Sequence, residues 1–492
     1  MTDNSLESPL AFLERAFDGE PLEFDLTRYE QWWRDTGQSI SEAIDQAGTP
    51  RLKMFDQRGR RIDQIGYDSG YRQMLASGYR AGIVWRVFSQ NELTPFFHFG
   101  YLTAFFDPGL YCPYTVTLGL AHVLHKYGSQ TLQQRFMPHL LKRDDSFWQG
   151  ATWMTEIGGG SDLGATVKTH ATPAGEGRWR LNGEKYFASN VGAELAVVAA
   201  RPDDAPGGIH GLALFLVPRQ RQDGTLNYHV RRLKDKIGTR SVPTGEVELR
   251  NSEAWLIGKA SEGIYLIMEI LNISRVANSI ASIALAQRAI RDAARFAAGR
   301  ELFGGYLIRK PMAKQQFRYR LSMLNAGFRL AWEAVDLLNN VWRLEPPYSD
   351  RYLLFRLVAH LAKYWTAEFA AQTAKWGMEL HGGLGALAEF PPERHFREAM
   401  ILNIWEGTPH RQMLDALQIM REKKAHHLLR EHLASETPRA LNEINEKIDT
   451  LLAMPEHMQE EKIEPLFRQL ALTVAKRLLH RDRHAALSRS LP

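Results

Sequence analysis

Trp179-Arg180-Leu181-Asn182-Gly183-Glu184-Lys185-Tyr186-Phe187-Ala188 reads as two short β-type runs with an Asn-Gly between them, a strong hairpin cue. Further runs follow at Leu195-Ala196-Val197-Val198-Ala199 and, after a Pro/Asp/Gly loop at 202–208, at Gly211–Pro218. This texture starts near residue 146 and lasts to about 255, the pattern of a small antiparallel barrel or sandwich. On either side the apolar residues recur at helical spacing. Ser69–Arg86 and Thr115–Leu141 do so on the N-terminal side, the second with a break near Tyr127-Gly128. Asn91–Pro95 reads as a linker and Asp107-Pro108-Gly109 as a turn. Beyond the β region, Ile264–Gly299 and Met312–Trp342 are alanine-rich with apolar stripes, and a third helix is expected over Tyr352–Glu379. The last stretch is polar and helix-forming, with a break at Pro455. The fold class is therefore mainly α with an inserted β domain. Four segments are expected: a mostly helical 1–145 with an irregular start, a β domain at 146–255, a helical bundle at 256–420 and a helical extension at 421–492.

A chain of 492 residues is long enough for roughly two to four domains. Its 44% apolar and 24% charged fractions are those of a globular protein. No continuous apolar run reaches the ~18 residues of a membrane span, so no membrane is expected. Met1–Glu20 is polar and acidic, unlike a signal peptide. The single cysteine, Cys112, excludes an internal disulfide and a cysteine metal cluster. It fits a cytoplasmic location, and no metal site is expected. With a formal charge of +5 and interspersed signs, a polyanionic small ligand such as a nucleotide fits as well as nucleic acid.

Several stretches carry candidate chemistry. In Ile404-Trp405-Glu406-Gly407-Thr408 an acid stands between a large aromatic and a glycine. Glycine permits close backbone approach to a ligand, and an apolar wall raises a carboxylate's pKa. The pattern suits a general base; a solvated acid in a capped loop is the alternative. Met154-Thr155-Glu156-Ile157-Gly158-Gly159-Gly160-Ser161-Asp162 would let backbone lie against a planar or phosphorylated ligand, with Thr155 and Ser161 offering hydroxyls. It is neither a Rossmann fingerprint nor a P-loop, and a flexible turn is the alternative. Glycines also cluster at Phe303-Gly304-Gly305 and at His381–Gly385, where each could end a helix. Arg300, just before the first cluster, suits an anionic diphosphate.

These elements, in this order, resemble the acyl-CoA dehydrogenase family of flavoproteins over roughly Leu118–Ala416. The resemblance implies an N-terminal helical domain, a middle antiparallel β-barrel and a C-terminal four-helix bundle, here followed by the helical extension. It also implies FAD as cofactor. Met154, Thr155, Gly160 and Ser161 look like the first family signature, although Trp153 replaces the usual small residue. Lys185–Asn190 looks like the strand behind the flavin ring, with Phe187 in place of the usual stacking tryptophan and Ser189 in place of threonine. Arg300 and Phe303 match residues that hold the FAD of a neighbouring subunit. Glu379, Gly382 and Gly383 match the cofactor loop, with glutamate for the usual glutamine. Thr408 completes the cofactor set.

Glu406-Gly407-Thr408 resembles the catalytic segment of the family. The resemblance implies that Glu406 takes the α-proton of an acyl-CoA or related thioester while the β-hydrogen leaves as hydride to flavin N5. The enolate would be stabilised by the backbone N–H of Glu406 and a ribityl hydroxyl, with Ser161, Arg275 and Gly407 on the substrate side. Some family members place the base on an earlier helix, before an arginine that corresponds to Arg275. Ser274 stands there and cannot serve. The segment Leu52–Asp63, the run Arg232–Ser241 and some seventy extra residues at the C-terminus look like the adaptive-response (AidB) branch. That branch implies a tetramer with weak dehydrogenase turnover, and its C-terminal domain is linked to DNA. Residues 421–492 hold 13 Lys and Arg against 11 Asp and Glu. Lys476, Arg477, Arg481, Arg483 and Arg489 stand against Asp482 in the last helix. A charge-mixed helix is more often a solvated or packing face than a DNA contact. His410 departs from the branch pattern. An alternative to the enzyme is thus a flavin-carrying protein that binds DNA or sequesters acyl-CoA. The electron acceptor, an electron-transfer flavoprotein or oxygen, is not readable.

Overall fold

The computed structural model describes residues 6–17, 22, 26–433 and 438–481. They divide into two compact units, one of Gln31–Phe99 with Gly109–Ser274, the other of Met1–Glu30, Gly100–Pro108 and Arg275–Pro492.

The first of these units is built on strands. A hairpin, β1 (Arg51–Phe55) with β2 (Arg61–Gly66), lies in the N-terminal region expected to be mostly helical. Seven strands form the main sheet: β3 (Gly150–Trp153), β4 (His170–Pro173), β5 (Arg178–Ser189), β6 (Leu195–Pro202), β7 (Ala213–Pro218), β8 (His229–Leu233) and β9 (Thr244–Ile257). The path β6-β4-β5-β9-β7 closes on itself through β6–β7, so the expected barrel forms. The two pairings that β6 makes with β3 and β4 are parallel; the others are antiparallel.

The Asn182-Gly183 hairpin does not form. β5 runs straight through it as one strand, pairing with β4 on one side and β9 on the other, with a register shift between Leu181 and Gly183. Asn182 Oδ1 accepts from the Asn251 N–H at 2.8 Å, and a Cβ on Gly183 would meet the Thr169 backbone at 2.6 Å. The glycine serves a close approach at a bulge, and pairing from distant sequence overrides the local turn cue.

Both faces of β6 are apolar because both are covered. Ala196, Val198 and Ala200 face the barrel core with Trp153, Phe215, Val217 and Val247. Leu195, Val197 and Ala199 pack instead with helix residues from α1 (Pro108–Tyr127), α2 (Gln130–Leu140) and the start of α3 (Gly263–Gly299). The break near Tyr127-Gly128 separates α1 from α2. Asp107-Pro108-Gly109 proves to be a helix start, with proline in a first turn. Asn91 is a left-handed helix cap, and the next helix begins at Thr94. The β1–β2 hairpin is tied to the barrel through buried Asp63. Its carboxylate accepts from the Val230 N–H at 2.9 Å and from Arg61 Nε at 3.0 Å, while Arg61 Nη2 donates to Val230 O.

The second unit is helical. It takes α3 from Arg275 onward, α4 (Pro311–Val341), α5 (Asp350–His381), α6 (Pro391–Ile404), α7 (Pro409–Lys423), α8 (Ala425–His432), α9 (Pro438–Leu452) and α10 (Glu456–Arg481). The long helices expected from periodicity are α3, α4 and α5, and Pro455 falls between α9 and α10. α5 packs against α4, α6 and α7, and α10 lies along α4 and α5, with Phe467 edge-on to Tyr364. Of the basic residues in the last helix, Arg483 and Arg489 lie outside the described residues, as does Asp482. By length and composition the helical stretch Ala260–Gly299 could cross a membrane, but 89% of its most apolar window is buried inside the protein. It is a core helix whose apolar content is interrupted by residues such as Asn272 and Arg275, so no continuous run reveals it.

Candidate active site

α6 ends at Ile404, and the Trp405 N–H still bonds back to Ile401 O. The chain then takes two left-handed residues, Glu406 at φ 58° and Gly407 at φ 101°. Thr408 caps α7 by accepting from the Arg411 N–H at a long 3.5 Å, and Pro409 opens that helix. Glycine adopts this conformation freely; a glutamate there costs roughly 1–3 kcal/mol and persists only where neighbours impose it.

The neighbours are visible. Gln412 Nε2 donates to both Glu406 O and Gly407 O at 3.0 Å. Lys363 Nζ, from α5, donates to Gly407 O at 2.7 Å and to Asn403 O at 3.0 Å. Arg275 Nε reaches Glu406 O at 3.4 Å. Behind them His360 Nδ1 donates to Gln412 Oε1 at 2.8 Å, and Asp415 accepts from Arg275 Nη2 at 3.1 Å and pairs with Arg411. A Cβ on Gly407 would come within 2.5 Å of Gln412 Nε2. Three side chains from α3, α5 and α7 thus grip the backbone of the turn and leave the carboxylate alone.

That carboxylate is the unusual group. Glu406 is half-buried, yet its Oε2 is buried with no hydrogen-bond partner among the described residues. Burial pushes its pKa up to about 7, partly opposed by the charges of Arg275 and Lys363. Burial likewise brings Lys363 down to about 7 against the pull of Glu406, and His360 down to about 3. His360 is therefore neutral at any pH near neutrality.

In the other unit the glycine loop leaves β3 at Met154, which is buried. Glu156 anchors it from beneath. Its carboxylate accepts from Lys185 Nζ at 2.7 Å, Thr169 Oγ1 at 2.6 Å, and the N–H groups of Lys168 and Thr169 at 2.7 and 3.1 Å. Burial works to raise the Glu156 pKa, but Lys185 and the other donors outweigh it and hold it low. Burial pulls Lys185 down against the same partner. Tyr186 N–H donates to Thr155 O at 3.0 Å, joining the loop to β5. Gly160 is required beside Thr155, whose hydroxyl a Cβ would meet at 2.6 Å. Ile157, Gly158, Gly160 and Ser161 are exposed over this anchor. On β5, Phe187 is 55% exposed, and Ser189 Oγ lies 3.5 Å from Thr244 Oγ1.

The remaining expected residues stand in the helical unit. Arg300 is exposed just before the two-residue strands Glu301–Leu302 and Gly305–Tyr306. Phe303 and Gly304, both left-handed, form the tight turn between them, and the Phe303 ring is 93% exposed. Glu379 pairs with Lys375 near the end of α5. His381, two residues on, stacks on Phe296 of α3 with ring centroids 4.1 Å apart. Gly382 and Gly383 present open backbone, where an added Cβ would meet nothing within 4 Å.

Family models match three consecutive stretches: the adaptive response protein AidB N-terminal domain over residues 16–145, the acyl-CoA dehydrogenase middle domain over 151–252 and the acyl-CoA dehydrogenase C-terminal domain over 261–420. The chain belongs to the acyl-CoA dehydrogenase family. Among its relatives, acyl-CoA dehydrogenase family member 11 of Caenorhabditis elegans is 29% identical, with 79% of this chain and 66% of the relative covered. AidB of Escherichia coli is 29% identical over 76% of this chain and 70% of its own length. The human short-chain specific acyl-CoA dehydrogenase is 31% identical over 62% and 68%. Together with the AidB-domain match they make this an AidB-like member of the family. Among solved structures, the Bd2924 apo-form superposes with a TM-score of 0.84 at 27% identity, covering 97% of each chain. Caenorhabditis elegans ACDH-11 in complex with C11-CoA superposes at 0.83 and 24% identity, covering 100% of this chain and 88% of that one, which supports the fold.

Acyl-CoA dehydrogenase membership supports flavin binding, and the residues fit such a group. In the β unit the open backbone at Gly159 with the exposed Ser161 and Phe187, and in the helical unit the open backbone at Gly382 and Gly383 with the exposed Arg300, each offer groups that a planar, polyanionic ligand requires. Arg275, expected on the substrate side, is buried; it directs Nε to the Glu406 carbonyl and Nη2 to Asp415, which also makes it a support of the turn, while its Nη1 is buried with no partner among the described residues. The sequence reading missed Lys363, His360, Gln412 and Asp415 altogether. The available signal was weak: His360 and Lys363 are polar residues three apart in an otherwise apolar and aromatic stretch, Leu357 to Trp365.

Proposed function

We propose that this chain is an FAD-dependent acyl-CoA dehydrogenase in which Glu406 abstracts the α-proton of an acyl-CoA or related thioester. The observation that carries the reading is the buried, unpartnered Oε2 of Glu406 on a left-handed residue gripped through its own carbonyl. With a pKa near 7, the group is basic enough to accept a proton and is substantially ionised at neutral pH. Lys363, Gln412 and Arg275 bond to backbone oxygens, so the carboxylate is aimed without being neutralised by a direct partner. The Glu406 N–H is the proposed donor to the thioester oxygen, a type of stabilisation worth about 3 kcal/mol.

FAD, when bound, would supply the hydride-accepting chemistry. Met154, Thr155, Gly160, Ser161, Phe187 and Ser189 are the proposed flavin residues of the β unit. Arg300, Phe303, Glu379, Gly382, Gly383 and Thr408 are those of the helical unit. The exposed Phe303 and Arg300 support a homo-oligomer, proposed as a tetramer, in which they serve a neighbouring subunit. Ser161, Arg275 and Gly407 are the proposed substrate-side residues. The C11-CoA complex of ACDH-11 supports an acyl-CoA ligand. A cytoplasmic location and an electron-transfer flavoprotein or oxygen as acceptor complete the proposal.

The AidB N-terminal match supports a second reading, a flavin-carrying protein that binds DNA or holds acyl-CoA with little turnover. Anaerobic titration with acyl-CoAs of varied chain length separates the two. Flavin bleaching by at least one thioester, abolished in Glu406→Gln, is expected. No bleaching by any thioester, or a Glu406→Gln variant that behaves as wild type, overturns the enzyme reading. A DNA gel shift that survives ~0.2 M salt would favour the second.

A further inference from the structure

Just beyond the matched C-terminal domain, which ends at residue 420, three side chains converge that the proposed chemistry does not use. His426 and His427 are neighbours at the start of α8, and Asp449 lies on α9. Adjacent helical residues ordinarily point about 100° apart. Here both imidazoles turn to one carboxylate oxygen. Asp449 Oδ1 is 3.0 Å from His426 Nε2 and 3.4 Å from His427 Nε2, and one potential ligand atom from each residue lies within 4.8 Å of the other two.

The spacing suits a metal ion. A tetrahedral ion bound at ~2.0–2.1 Å has ligand-to-ligand edges of about 3.3 Å, between the two distances found. The donors are two neutral-type nitrogens and one carboxylate oxygen, a set preferred by zinc and its borderline neighbours. The site is half-built into the protein: the His426 side chain is fully buried and the His427 side chain 33% exposed. The Asp449 side chain is 46% exposed, which leaves a coordination position open to water. Both Nδ1 atoms are buried without a partner among the described residues. Among those residues no second hydrogen bond orients either ring, a lack that typically weakens a zinc site 10- to 100-fold.

We propose that His426, His427 and Asp449 form a three-ligand site for a divalent borderline metal, zinc foremost, which ties α8 to α9. The alternative is that the histidines merely donate hydrogen bonds to Asp449. The ion would tie together the first two helices of the C-terminal extension, and none of its three ligands is among the residues assigned to flavin and thioester. The sequence offered no hint of it, since His-His and a lone Asp 22 residues later match no metal-binding spacing.

The test uses the full-length, untagged protein stripped with chelator and titrated with Zn²⁺ alone by calorimetry, alongside His427→Ala and Asp449→Asn. These two side chains are the more exposed, and equal melting temperatures in chelator would show that both variants fold. The expected result is one Zn²⁺ per chain, at least ~10-fold weaker in each variant, and a rise in melting temperature with Zn²⁺ in wild type only. Failure to bind Zn²⁺, or affinity and melting shifts that the two substitutions leave unchanged, would overturn the proposal in favour of plain hydrogen bonds.

Discussion

Replacing Lys363 with Met tests the central geometric claim, that the Glu406 turn is held by its backbone. The ammonium is buried and donates to Gly407 O at 2.7 Å and Asn403 O at 3.0 Å. Hydrogen bonds from a charged donor contribute about 1.5–3 kcal/mol each. Methionine fills similar space and removes a buried cation, so global stability should change little. The turn itself loses two of its five anchoring bonds, while the left-handed glutamate stores roughly 1–3 kcal/mol of strain. If about 2 kcal/mol of that strain relaxes the turn out of its working geometry, the rate falls about 30-fold. A second effect has a definite sign. Lys363 is among the charges that hold the Glu406 pKa down against burial, so its loss raises that pKa above about 7. The base works deprotonated, and the acid limb of the rate profile should move to higher pH. The assay is anaerobic stopped-flow reduction of the flavin by a reactive acyl-CoA from pH 6 to 9, with flavin affinity and melting temperature as controls. An unchanged rate with an unchanged limb, or a limb displaced to lower pH, would refute the reasoning.

Other outcomes follow from the same geometry. Glu406 has a folded pKa near 7 against an ordinary 4.5. The folded state therefore binds the proton more tightly, and stability attached to this group is complete below pH ~4.5 and lost as pH rises through 7. Glu406→Gln should be more stable than wild type at pH 8, by up to about 3 kcal/mol, and the advantage should vanish near pH 5 in urea unfolding. Glu156→Gln breaks a buried pair with Lys185, which typically costs 3–5 kcal/mol. Denaturant unfolding should report that loss, and flavin should dissociate more readily because the loop above has lost its anchor. Gly407→Ala forces a Cβ toward Gln412 Nε2 at 2.5 Å in a left-handed residue; turnover should drop at least ~10-fold with flavin affinity nearly unchanged. Asp63→Ala should detach the β1–β2 hairpin from β8, seen as accelerated proteolysis within residues 51–66.

Local pattern was enough for the long elements and to mark Glu406 as a candidate. The apolar periodicity of α3, α4 and α5 is a property of each segment, and an acid between tryptophan and glycine stands out locally, although that pattern alone also fits a solvated loop acid. The order of the motifs from Met154 to Thr408 was also enough to indicate the family, because that order is written along the chain. Tertiary structure decided what depends on partners distant in sequence. Asn182-Gly183 has all the local features of a turn, yet pairing with β4 and β9 keeps the chain extended. Lys363 looks like any helix lysine until α5 places it under carbonyls 40 and 44 residues away. That Arg275 also supports the turn shows only once Asp415, 140 residues on, is seen to meet it. In each case the deciding energy is a hydrogen bond or desolvation between segments far apart in sequence, and no local window of residues contains both partners.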